Sequence, residues 1–171
     1  MRFSEKIEKT IISDRALFGN ILIIIIGNRE SDPIRKQKEG GNVMRRVILN
    51  MKDYIFADAV AKSLQADEQG DFNVVPTTTT EELLQYGKLC EPYAVLMEVN
   101  GYPPYVLEER LKIRDAIKEV NPDCKIVLVV DENSEKKVAE EVRRAKKAGR
   151  MDQFIYGSIS TNYLVALLDT L

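Results

Sequence analysis

The sequence predicts a three-layer α/β sandwich, with helices on both faces of a doubly wound, five-stranded parallel sheet, over residues 45–171. Three observations carry this. Five apolar runs are each followed by an amphipathic segment, the alternation produced by βαβ units. The links between run and helix are short, which suits right-handed crossovers. Lys125 to Val130 is an almost uninterrupted aliphatic run, the pattern of a strand buried on both faces.

Taken in order, Val47 to Met51 reads as the first strand, and residues 56–69 as a helix with Phe56, Val60, Ala61 and Leu64 on one face. Phe72 to Val75 is a second strand, ended by Pro76, which cannot donate to a ladder. Thr80 opens a second helix, with threonines to cap it and Glu81 and Glu82 in its first turn. Tyr93 to Val99 is the third strand, followed by a helix over 106–120 that stops at Asn121-Pro122. After the 125–130 strand, residues 134–148 form a highly charged helix closed by Gly149. Gln153 to Tyr156 is the fifth strand and 161–171 the last helix, striped by Leu164, Leu167, Leu168 and Leu171. Most of that stripe reads as core, with Tyr163 or Val165 available for a dimer face.

Residues 1–44 form a separate segment. Phe3, Ile7 and Ile11 recur at helical spacing, Ile21 to Ile26 reads as a buried strand, and 27–42 is a polar linker rich in charge, Gly and Pro. Six apolar residues are far too few to cross a bilayer, which takes roughly 20. The acidic residues Glu5, Glu8 and Asp14 ahead of the run argue against a signal peptide. The expectation is an extra strand or packed arm, covering a sheet edge within one subunit or exchanged between two.

Composition excludes several function classes. The chain has no histidine, which removes His-based triads, most zinc sites and any phosphohistidine role. Its two cysteines, Cys90 and Cys124, lie far apart, suit a reducing cytosol, and read as small buried hydrophobes. A net charge of −2 argues against a dedicated nucleic-acid binder. Lys136, Lys137, Arg143, Arg144, Lys146, Lys147 and Arg150 are interleaved with Glu135, Glu140 and Glu141 at helical spacing, so a solvated, salt-bridged face is expected there. The run Thr77 to Thr80 lacks the glycine of a phosphate cradle and reads as a helix cap.

Several strings resemble the receiver domain of bacterial two-component response regulators, over essentially all of 45–171. Pro92 to Val99 resembles its third strand. Leu111 to Val130 resembles its third helix and fourth strand. Ala145 to Gly149 and Phe154 to Ser160 resemble the approach to its fifth strand and last helix. The resemblance implies a flavodoxin-like, receiver-type fold and a phosphoacceptor pocket, and it places most of that pocket's residues on unsuitable side chains. The phosphoacceptor aspartate falls on Glu98. The acidic, magnesium-binding pair falls on Met51 and Lys52, or on Lys52 and Asp53 in a register slipped by one. The Ser/Thr after the fourth strand falls on Val130, with Asp131 next; the lysine before a cis-proline falls on Gly157; and the switch aromatic falls on Phe154.

Phosphoryl transfer needs a cation and a nucleophilic carboxylate, so the expectation is a pseudo-receiver without metal or cofactor. Glu98 has two readings: a built-in mimic of the phosphorylated state paired with Lys52, or a solvated carboxylate at a strand end whose loss costs at most about 1 kcal/mol. The expected function is a non-enzymatic, cytoplasmic interaction module without an output domain. It would act through protein contacts as a homodimer, with no nucleic acid or membrane. The alternative is a small-molecule or nucleotide sensor at the C-terminal edge of the sheet.

Overall fold

A computed structural model describes residues 44–66 and 71–171; the expectations for the N-terminal helix, arm and linker lie outside the described residues. The elements run β1 (Arg45–Asn50), α1 (Tyr54–Gln65), β2 (Phe72–Thr77), α2 (Thr80–Leu89), β3 (Ala94–Val99), α3 (Leu107–Val120), β4 (Lys125–Val130), α4 (Lys136–Lys147), β5 (Gln153–Tyr156) and α5 (Thr161–Thr170). All the strands are parallel, in the order β2-β1-β3-β4-β5. The three-layer, flavodoxin-like architecture is as the sequence predicts.

The sheet separates two cores. Ile48, Val95, Met97, Val99 and Leu128 face α2, α3 and α4. Val47, Leu49, Leu96 and Val129 face α1 and α5. Adjacent residues on a strand point to opposite faces, so the central strands must be apolar throughout. Each fully buried leucine or isoleucine contributes about 1.5–3 kcal/mol. Cys124 belongs to the first core, and burial pushes its thiol up to about 12.

Local chemistry sets the boundaries. β1 begins at Arg45, two residues earlier than its apolar run, because Arg45 stacks 4.3 Å above the Phe72 ring and pairs with Asp169 of α5. β2 runs through Pro76 to Thr77 rather than stopping there; it is an edge strand, where one missing donor is tolerated. Asp53 caps α1 by accepting the N–H groups of Ile55 and Phe56 at 2.9 and 3.1 Å, which starts that helix at Tyr54. The threonine run caps α2 as expected: Thr79 accepts the Glu82 N–H, while Glu82 accepts those of Thr78 and Thr79. Gly149, at φ 73, turns the chain out of α4 in a conformation that costs other residues strain.

The charged face of α4 is solvated as expected, but it is not salt-bridged within the helix. Among the described residues, none of the ion pairs joins two residues of that helix. Arg143 instead donates to the Tyr156 hydroxyl, Lys146 to the Asp152 carbonyl, and Arg150, beyond the helix, to Glu108 of α3. The first two links tie α4 to β5 and the residue before it, and the third ties the turn after α4 to α3.

Candidate functional site

In an open parallel sheet, the loops leaving the carboxyl ends of the strands surround the usual ligand crevice. Here four such loops enclose a groove of about 480 Å³, lined among others by Lys52, Asp53, Glu98, Asp131, Glu135 and Gly157. The structure therefore brings together five of the positions read from the sequence: Lys52, Asp53, Glu98, Asp131 and Gly157. It leaves three out. Met51 turns into the α1/α5 core at 6% exposure, and Val130 is wholly buried against the other face. Phe154 is half-buried on that second face, its ring edge-on to Tyr156 at 5.5 Å.

Glu98 is the centre of the arrangement. Its Oε2 accepts the backbone N–H of Lys52 at 2.7 Å and, more weakly, that of Asp53 at 3.4 Å. Its Oε1 accepts from Asn100 Nδ2 at 3.0 Å. One carboxylate thus clamps the β1–α1 loop to the β3–α3 loop. The ammonium of Lys52 lies away from this carboxylate's bonds, 5.7 Å over the ring of Tyr102. The contact between Lys52 and Glu98 is through the main chain, not a side-chain ion pair.

Two of the other carboxylates are also committed. Asp53 caps α1. Asp131 accepts the Ser134 hydroxyl at 2.6 Å and the Asn133 N–H at 2.9 Å, and the Ser134 hydroxyl above all holds its carboxyl below the usual range. Glu135 reaches across the groove; a Cβ on Gly101 would stand 3.2 Å from its Oε2, so glycine permits this close approach. A divalent cation does not fit this donor set. The place after β1 that would have to supply carboxylates holds an inward-facing methionine and a lysine, and three of the four carboxylates present, Asp53, Glu98 and Asp131, are already bonded. A phosphate fits no better, with four acidic side chains set against one ammonium.

Sequence reasoning missed two buried polar groups at this edge. Asn50 is buried and donates through Nδ2 to Thr77 Oγ1, Thr77 O and Thr79 O, at 3.1, 3.3 and 3.2 Å, which ties β1 to the β2–α2 turn. Arg110 is fully buried in α3 and donates through Nε to the Glu98 carbonyl at 2.8 Å. A polar residue closing an apolar strand, and an arginine on the apolar stripe of Leu107, Leu111 and Ile117, were the available signals.

Solved structures share this architecture. The signal receiver domain of the response regulator NarL from Mycobacterium tuberculosis superimposes with a TM-score of 0.57 at 17% identity, over 75% of this chain and 97% of that one. The fold is that of a receiver domain. A response regulator from Thermotoga maritima gives 0.58 at 19% identity, over 75% and 97% of the two chains. The CheY-like response regulator receiver domain protein of Methanospirillum hungatei gives 0.58 at 14%, over 75% and 93%. No family model and no curated protein sequence matches the chain. Within the receiver fold, the groove occupies the carboxyl end of the sheet, and Glu98 stands at the end of its central strand.

Proposed function

We propose that this domain is a receiver-like signalling module that is neither phosphorylated nor catalytic and works through protein contacts, a second copy of the chain among them. One observation carries the reading. Among the described residues, seven large apolar side chains are exposed, and four of them, Tyr54 (73%), Ile55 (80%), Tyr102 (66%) and Tyr163 (57%), stand on the carboxyl-edge rim. Three of the groove's four acids are bonded internally, whereas its rim offers aromatic and aliphatic surface to a partner. Tyr163, with Val165 one of two residues available for a dimer face, is exposed. No helix among the described residues is long and apolar enough to cross a membrane.

The sensor reading gains less. The groove is roomy enough for a small ligand, but its excess of carboxylates repels the phosphates of a nucleotide or flavin cofactor.

Ile55→Asp and Tyr102→Asp test the proposal, since both residues are exposed and the fold is expected to keep its melting temperature. Self-association by sedimentation, and cross-linking to native partners, should weaken at least tenfold. Unchanged association and an unchanged partner set would contradict the reading. A saturable thermal shift with a nucleotide would favour the sensor instead.

A further inference from the structure

The β3–α3 loop, residues 100–106, is held from both sides. Above it, Asn100 bonds the Glu98 carboxylate, and Asn100 Oδ1 accepts the Tyr102 N–H at 2.9 Å. The loop closes on itself through the Asn100 N–H to the Tyr105 carbonyl at 2.9 Å and the Tyr105 N–H to the Tyr102 carbonyl at 2.8 Å. Below it lies Arg110, whose guanidinium carbon is 4.5 Å from the centre of the Tyr105 ring. Tyr105 covers the guanidinium while Tyr102, three residues earlier, stands exposed over Lys52.

Arg110 is poorly served in this arrangement. It is 0% exposed, it has one hydrogen bond through Nε, and both Nη1 and Nη2 are buried without a partner among the described residues. Burial lowers its pKa to about 10, so the guanidinium still carries its charge at neutral pH. A buried charged donor without an acceptor opposes the state that buries it. Exchanging such a group for an apolar residue of similar volume is commonly neutral or stabilising. The cation–π contact with Tyr105 offsets only part of this.

We propose that the Arg110–Tyr105 pair makes the β3–α3 loop a catch poised to open: lifting Tyr105 releases the unpartnered Arg110 nitrogens to an acceptor and shifts Tyr102 out of the apolar rim. The same arginine holds the Glu98 carbonyl, so the clamp on the β1–α1 loop and the state of the catch are linked across the sheet. The link to partner binding rests on the contact reading given above; the opening itself does not.

Hydrogen exchange on the full chain, with melting temperature in parallel, tests the opening without any partner. In Arg110→Met, exchange of the amides in 100–106 should slow at least tenfold with no loss of melting temperature, because the closed loop no longer buries unpaired donors. In Tyr105→Ala, the same amides should exchange at least tenfold faster while β4 stays protected. Faster loop exchange, a lower melting temperature or failure to fold in Arg110→Met would overturn the proposal and make Arg110 a structural bolt. So would Tyr105→Ala, if protection were lost across the whole sheet. Failure here leaves the rim's contacts standing, since those are tested by Ile55→Asp.

Discussion

Shortening Glu98 by one methylene separates the clamp from the charge. Glu98→Asp keeps a carboxylate at the end of β3 but withdraws it from the Lys52 N–H, now 2.7 Å away, and from Asn100 Nδ2 at 3.0 Å. Two hydrogen bonds to a charged group are worth about 1.5–3 kcal/mol each when sheltered. Lys52 is exposed and its N–H can be rehydrated, so roughly half of that is retained, about 2 kcal/mol in all. This is about twice what a solvated strand-end carboxylate would contribute. Glu98→Ala and Glu98→Asp should therefore lose the same amount within about 0.5 kcal/mol. Glu98→Gln should lose about 1 kcal/mol, since its oxygen can still take the Lys52 N–H but its amino group faces that of Asn100, whose own oxygen is held by Tyr102. Urea denaturation followed by circular dichroism measures this, with an unchanged slope required for the comparison. A Glu98→Asp variant as stable as the wild type, beside a destabilised Glu98→Ala, would show that charge rather than reach matters and would refute the clamp.

Three further substitutions test the buried contacts of the fold. Asn50→Asp points a carboxylate at three acceptor oxygens of Thr77 and Thr79 and should cost about 3 kcal/mol in the same urea assay. Gly87→Ala places a Cβ 2.8 Å from Ile117 Cδ1 and Cγ1; overpacking of about 1–3 kcal/mol outweighs a helix gain of about 1, and Ile117→Val in the same chain should recover most of the loss. Burial raises the Asp152 pKa, but the Ile126 N–H and Lys118 together outweigh it and leave the carboxyl below its usual value. Its stabilising contribution is thus present above the unfolded value of about 3.9 and lost as pH falls through the folded one, so Asp152→Asn should flatten the fall of melting temperature below about pH 4.

Much of the fold was legible because its signals are local. The aliphatic run 125–130 and the short run 153–156 became β4 and β5 at the expected residues, since periodicity and turn residues fix such segments. Arg45 and Pro76 were misjudged at strand ends because tertiary context decided both: a stacked ring for one, an edge position for the other. The site was legible as a set of positions but not as a set of contacts. Glu98 meets Lys52 across 46 residues and Asn50 meets Thr77 across 27, and no spacing rule predicts which atom of a lysine a carboxylate will find. Met51 turned inward because it continues the β1 alternation past Asn50, which strand periodicity signalled and the receiver resemblance obscured. Arg110 escaped notice because helical patterning marks where a core residue falls, not what a buried charge does there.

The central claim is that the carboxyl edge serves contact and not phosphoryl chemistry, and intact-mass measurement tests it most directly. The wild-type chain and Glu98→Asp are each incubated with acetyl phosphate and magnesium. The account predicts no phosphoryl adduct on either, because the place after β1 offers Met51 and Lys52 where magnesium needs an acidic pair, even when the aspartate is restored. A stoichiometric adduct on Glu98 or Asp53 of the wild type, or on the restored aspartate of the variant, would contradict it.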